Sequence, residues 1–203
     1  MRSRKVTVSK SLLRRIQHKG RGSVFSAKDF FDVGSRAAVD QTLSRLVRRG
    51  VIRRVDWGLY DYPKTSKSLG LLSPAPIAVA QAMARQTGST IQITGARAAN
   101  TLGLTDQVPA KVVYLTDGPT RTIKIGNQSI SLRHASKRNL VGAGHPSGTV
   151  FQALRYLGKD QVRGDTIIKL RNALSPQQKK DLKRHITRAP DWTREVIEQI
   201  AGA

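Results

Sequence analysis

The chain has no cysteine in its 203 residues, which excludes disulfides and thiolate metal sites and allows a reducing compartment. Acidic residues are scarce: 13 Asp and Glu stand against 36 Lys and Arg, for a net charge of +23. Between Thr65 and Gly144 the only carboxylates are Asp106 and Asp117, and Asp117 lies in an Asp-Gly-Pro turn. That stretch therefore offers no carboxylate pair for acid–base work. The four histidines, His18, His134, His145 and His185, are scattered and match no metal-ligand spacing. Gly142-Ala143-Gly144 resembles a phosphate loop, but no Gly-Lys-Ser/Thr follows, so an ordinary loop is the reading. No enzyme, cofactor or metal site is expected. No apolar run approaches the ~18 residues a membrane span needs. No apolar segment follows the basic opening, so no signal peptide is expected, and a cytoplasmic location is.

What is present in excess is positive charge, and a folded chain this basic calls for a polyanionic partner. Sixteen of the lysines and arginines, with five acids, lie between Met1 and Lys64, and the rest of the chain carries 20 and eight. About a third of the chain thus carries about half the net charge, which marks the N-terminal region as the main electrostatic footprint. Hydrophobic residues make up 38% of the chain, enough for a packed core.

The N-terminal pattern predicts a definite order of elements. Ser9–Lys19 reads as a helix with Leu12, Leu13 and Ile16 on one stripe, ended by Gly20 and Gly22. Ser23–Phe25 is extended. Ser26 and Asp29 imitate a capping box before a short second helix with Ala27, Phe30 and Phe31 inward. Ser35 caps a third helix that runs to Arg49 and stops at Gly50. Val51–Val55 and Leu59–Tyr62, around Asp56-Trp57-Gly58, form a hairpin that Pro63 ends. Helix, strand, helix, helix, hairpin is the order of a winged helix-turn-helix.

Residues 1–63 are thus read as a DNA-binding domain, 64–73 as a polar linker, and 74–203 as a C-terminal α+β domain. The last would hold helices at Pro74–Gly88 and Thr94–Leu104 and a small antiparallel sheet at Lys111–Thr116, Thr120–Ile125 and Ser129–His134. After a Gly142–Gly148 loop comes a helical tail: Thr149–Gly158, Asp165–Leu174, Pro176–Ile186 and Asp191–Ile200. The fold class is α+β.

On a helical wheel of Ser35–Arg49, Val39, Leu43, Leu46 and Val47 share the inner face. The other face presents Ala37, Gln41, Ser44, Arg45 and Arg48. Gln pairs with adenine, Arg with guanine, and Ala touches a thymine methyl, so Ala37, Gln41, Ser44 and Arg45 are the base-reading candidates. Ser35, Arg36 and Arg48, with Arg53 and Arg54 on the hairpin, are the phosphate and wing candidates. Asp40 either accepts from cytosine or pairs with a nearby arginine. Trp57 and Tyr60 are read as packing the hairpin against the first helix rather than stacking on bases. Arg97, Arg121, Lys124, Arg133, Lys137 and Arg138 either extend the basic surface or are simply solvated.

The run GSVFSAKDFFDVGSRAAVDQTLSRLVRRGVIRRVDWGLYDYP resembles the winged-helix domain of AbiE-type antitoxins, and TGARAANTLGLTDQVPAKVVYLTDG with TIKIGNQSISLRHA is similar to the C-terminal region of a branch of that family. The resemblance covers about Ser23 to Ala135, and T-G-A-x-A-A-N and V-Y-L-T-D-G are its specific motifs. It implies a repressor that binds inverted repeats of double-stranded DNA in its own promoter, as a dimer or cooperative pair. It also implies an antidote role, usually indirect, against a nucleotidyltransferase toxin. The chain does not resemble the toxin, because Arg36-Ala37-Ala38 stands where metal-binding aspartates of a G-S-x-D-x-D signature belong. The competing expectation is a non-specific architectural or mobile-element DNA binder, which differs in showing only the counterion-release component of affinity.

Overall fold

The computed structural model describes residues 7–202; Met1–Val6 and Ala203, which the expected domain bounds include, lie outside them. The fold is mixed α+β: eight α-helices and three small antiparallel sheets among the described residues. Contacts divide the chain into two units, residues 1–88 with 122–130, and residues 89–121 with 131–203.

The first unit opens with α1 (Val8–Lys19), which Gly20 ends at φ 80°. Strand β1 (Val24–Ser26) leads into a single 3-10 turn, Ala27–Phe30, where the sequence suggested a short helix. Asp29 ties that turn down by accepting from the Ser26 N–H at 2.7 Å and the Ser26 hydroxyl at 3.2 Å. Helix α2 (Arg36–Arg48) is capped by the Ser35 hydroxyl, which accepts from the Ala38 N–H at 3.4 Å. Gly50, at φ 67°, takes the left-handed position past its end, a conformation that a side chain disfavours. Strands β2 (Arg53–Asp56) and β3 (Leu59–Asp61) form the hairpin, and β1 pairs with β3, giving the sheet order β1-β3-β2.

Leu12, Ile16, Phe25, Phe30, Val39, Leu43, Leu46 and Ile52 form the core of this unit. The Phe25 ring meets Phe30 edge-on at 5.4 Å and stacks on Tyr60 at 6.4 Å. Tyr60 therefore packs against this core, on Phe25 of β1. Phe31 does not: it is 42% exposed, because the 3-10 turn directs only Phe30 inward.

The polar segment 64–73 holds a two-residue hairpin, β4 (Thr65–Ser66) with β5 (Gly70–Leu71), where a plain linker was expected. Helix α3 (Pro76–Thr87) belongs to the first unit, so the division falls at Gly88. Polar side chains explain the difference. The Arg85 guanidinium donates to Asp29 and the Val24 carbonyl, both at 2.9 Å, and Gln86 donates to the Gly58 carbonyl at 2.9 Å.

In the second unit, β6 (Ile91–Ile93) precedes α4 (Gly95–Thr101). Strands β7 (Val112–Thr116), β8 (Arg121–Ile125) and β9 (Gln128–His134) follow, and the sheet order is β6-β7-β9-β8; residues 122–130 of β8 and β9 are counted with the first unit. The three-residue β6 is too short to give a periodic signal, and the sequence reading lacked it. Helices α5 (Pro146–Leu157), α6 (Gly164–Ala173), α7 (Pro176–His185) and α8 (Trp192–Ala201) follow. They enclose Val150, Phe151, Leu154, Leu170, Leu182, Ile197 and Ile200.

The small residues of the T-G-A-x-A-A-N motif have a packing role. Ala98 and Ala99 on α4 are fully buried with Ala153 of α5. A Cβ on Gly95 would lie 2.8 Å from the Gln152 carbonyl oxygen. The glycines of the 142–148 segment also serve close approach, since a Cβ on Gly148 would sit 2.3 Å from the Gly142 carbonyl oxygen. Gly148→Ala is therefore expected to destabilise the second unit by about 3 kcal/mol, the upper end of ordinary overpacking. Gly103→Ala, at φ 67° with open space around it, should cost only the backbone strain of about 1–2 kcal/mol. Urea midpoints of the two variants test this ordering, and equal midpoints would contradict it.

Candidate nucleic-acid interface

Helix α2 buries Val39, Thr42, Leu43 and Leu46, while Val47 is only half-buried. The inner face is thus rotated slightly from the expected one. Thr42 tolerates its position because its hydroxyl accepts from Arg45 Nη2 at 3.3 Å. Ala37, Gln41, Ser44, Arg45 and Arg48 are all exposed, as are Ser35 and Arg36 at the helix start. Arg36 lies 3.7 Å from Asp40 across one helical turn, which gives Asp40 the arginine partner that was one of its two readings.

Two concavities flank the helix. One, of about 360 Å³, is lined by Ser9, Thr42, Arg45, Leu46, Arg48 and Arg49. The other, of about 520 Å³, brings Lys28, Phe31, Arg36, Arg54 and Trp57 together. Arg49, Lys28 and Phe31 were not singled out from sequence; the only local signal was the continuous Arg48-Arg49 pair. Among the described residues no ion pair engages Arg45, Arg48, Arg49 or Arg54. Cations in the last turn complement the helix dipole, which accounts for part of this placement.

Trp57 is 81% exposed at the hairpin turn, with the Arg54 guanidinium 5.1 Å from its ring centre. The expectation that it packs against α1 is corrected: the turn projects the indole outward. Arg53 is also corrected. Its Nε donates to Asp61 Oδ1 at 3.0 Å, and its Nη2 donates to Asp61 Oδ2 and, at 2.7 Å, to the Leu72 carbonyl. The bond to Asp61 raises the Arg53 pKa above the ordinary arginine value despite partial burial. Asp61 is 1% exposed, so this guanidinium is occupied within the fold and is not free for phosphate.

The six basic residues read as either extending the basic surface or simply solvated fall in both units. Lys124 lies in the first unit and Arg97, Arg121, Arg133, Lys137 and Arg138 in the second. Arg97 is half-buried with its guanidinium 6.0 Å from the Tyr114 ring centre, and Arg121 is half-buried and engaged. Lys124, Arg133, Lys137 and Arg138 are exposed.

Two of the scattered histidines meet in the second unit. The His145 and His185 rings are 5.0 Å apart, and each Nδ1 lies near Asp181 Oδ1, at 3.6 and 3.5 Å. Asp181 also accepts from the Ser147 N–H at 3.0 Å. Burial works to raise the Asp181 pKa, but the Ser147 hydrogen bonds and the two histidines outweigh it and hold the carboxyl below its ordinary value. Ser147 is 1% exposed, which closes it to a substrate. Among the described residues no group of three His, Cys, Asp or Glu side chains is placed to hold a metal. No helix among them is long and apolar enough to cross a membrane.

A depressed carboxyl contributes stability above its unfolded pKa of ~3.9, and that contribution disappears as pH falls through the lower folded value. The second unit should therefore lose stability below about pH 4. In a Trp57→Phe background, Trp192, packed against the second unit's core, reports its unfolding alone. Asp181→Asn should flatten the acid limb of that curve, and an unchanged limb would assign it to other carboxylates.

The chain belongs to a family of unknown function, DUF6088, whose sequence pattern matches residues 11–182. No curated protein matches it. Among solved structures it is similar to the crystal structure of the RV2827C protein from Mycobacterium tuberculosis, at 14% identity and a TM-score of 0.40 over 98% of this chain and 78% of that one.

Proposed function

We propose that this member of the DUF6088 family is a sequence-specific repressor of transcription that binds double-stranded DNA through a winged helix-turn-helix formed by residues 8–62. In this reading α2 enters the major groove, with Gln41, Ser44, Arg45 and Ala37 toward base edges. Arg36 and Arg48 take phosphates beside it, the Ser35 N-terminus adds backbone N–H groups, and the β2–β3 hairpin is the wing, with Arg54 and Trp57 at its tip. The observation that carries the reading is the outer face of α2. Arg45 and Arg48, with Arg49 just past the helix end, are exposed and have no carboxylate partner among the described residues, on a chain of charge +23.

The resemblance to AbiE-type antitoxins supports a narrower form of the proposal. The chain represses its own operon from inverted repeats, bound as a dimer or cooperative pair in the cytoplasm, and opposes a neighbouring nucleotidyltransferase toxin. No catalytic step, cofactor or metal is part of the proposal.

The test is a fluorescence-anisotropy titration near 150 mM salt, with the protein's own upstream DNA and a scrambled duplex of equal length. A sequence-specific repressor prefers the first by at least about 10³. Equal affinity, with only the counterion-release slope against salt, overturns it in favour of an architectural binder.

A further inference from the structure

Arginines from four separate elements converge in the second unit. Arg138 of the 3-10 turn Lys137–Asn139, Arg155 of α5, Arg188 of the 3-10 turn Ile186–Arg188 and Arg194 of α8 line one cavity of about 520 Å³. Its only carboxylate, Asp191, is exposed and pairs with Arg194 at 3.0 Å. Among the described residues Arg138, Arg155 and Arg188 have no ion pair.

Arg155 is the informative member. It is half-buried, yet its donors reach only neutral oxygens: Asn139 Oδ1, and the Arg138 carbonyl at 3.1 Å. Burial, and then the like charge of Arg138, lower its pKa from the ordinary arginine value. A partly desolvated cation facing another cation is costly unless an anion joins them. The planar guanidinium fork suits a phosphate oxygen pair better than a point charge.

A second cavity, of about 590 Å³, shares Arg155 and adds Tyr156, Gln152 and Asn139. Tyr156 is 47% exposed although it lies on α5 beside the core. Both cavities are of small-ligand size. One thus offers uncompensated guanidiniums, the other an open aromatic ring beside two amides, with Arg133 and His134, and Arg155 lines both.

We propose that the second unit binds a nucleoside phosphate, with its phosphates on Arg138, Arg155 and Arg188 and its base against Tyr156. This site is independent of the DNA-binding face of α2 and is not a catalytic centre.

The test is isothermal titration of the full chain near 150 mM salt, with ATP, adenosine and inorganic tripolyphosphate as probes. ATP is expected to saturate one site per chain, tripolyphosphate to bind at least about tenfold more weakly, and adenosine not to bind at 1 mM, a ceiling that allows for less than about 4 kcal/mol of affinity. Arg155→Gln and Arg188→Gln should each weaken ATP at least about tenfold, as expected for loss of a charge-assisted contact. Arg188 makes no side-chain hydrogen bond or ion pair among the described residues, so its variant reports binding even if Arg155→Gln disturbs the fold. Tyr156→Leu should bring ATP down to the tripolyphosphate level and leave tripolyphosphate unchanged, whereas Arg45→Ala should leave ATP binding intact. The proposal is overturned if ATP fails to saturate, if tripolyphosphate binds as tightly as ATP, or if Arg45→Ala weakens ATP as much as Arg188→Gln does.

Discussion

Arg53→Ala is expected to destabilise the N-terminal unit by about 3–5 kcal/mol, the cost of leaving a buried carboxylate without its partner. Arg53 and Asp61 are direct cross-strand partners in the β2–β3 ladder. Asp61 is 1% exposed, and the same guanidinium reaches the Leu72 carbonyl at 2.7 Å. Removing it leaves the buried Asp61 carboxylate, and the part-buried Leu72 carbonyl, without this donor. The paired replacement Arg53→Met with Asp61→Leu should recover most of the loss, because a buried ion pair replaced by apolar groups of similar size is often neutral. Arg54→Ala, one residue along and exposed, should stay within about 0.5 kcal/mol of the parent. Urea unfolding followed by circular dichroism measures all three. If Arg53→Ala unfolds at the parent midpoint, the pair is not structural and Arg53 returns to the list of phosphate contacts.

Gln41→Ala and Arg45→Ala should each lower affinity for the preferred duplex about 10- to 100-fold, a loss of about 1–3 kcal/mol confined to one base position. Gln41 is exposed, so its unfolding midpoint should not move, whereas Arg45→Ala also removes the donor to the buried Thr42 hydroxyl and should cost about 1 kcal/mol of stability. Arg48→Ala and Arg54→Ala should weaken every duplex alike and reduce the salt slope by about one each. Gln41 and Arg45 lie one turn apart, so their losses need not add. Anisotropy against a panel of single-base substitutions, repeated at two salt concentrations, separates the classes. If all four variants lose affinity uniformly, α2 does not read bases and the architectural reading replaces the repressor.

The N-terminal order of elements was legible because its signals are local. Ser26 with Asp29, Ser35 before an amphipathic run and Gly50 after it each act within about one helical turn. The exposed set on α2 was legible for the same reason, since a 3.6-residue period fixes which side chains oppose the core. The burial of Thr42 was not, because a hydroxyl becomes acceptable inside only once a partner, here Arg45, is in reach.

Other site features depend on contacts between distant segments. Trp57 and Tyr60 are both aromatic and three residues apart, but the turn geometry sends one outward and stacks the other on Phe25. Arg53 and Arg54 are identical in sequence terms, and the alternation of strand faces sets one on Asp61 and the other over the exposed Trp57 ring. His145 and His185 are 40 residues apart and still share Asp181. Arg138, Arg155 and Arg188 carry no spacing that marks them.

By itself, then, the sequence determined the class of the fold, the net charge of +23, the face that α2 presents and the absence of thiol chemistry. Those follow from composition and from interactions within a turn or two of the chain. Only the tertiary structure decided which arginines are spent on internal carboxylates and which remain free. A cation's role depends on the charge beside it, and that neighbour comes from another part of the chain.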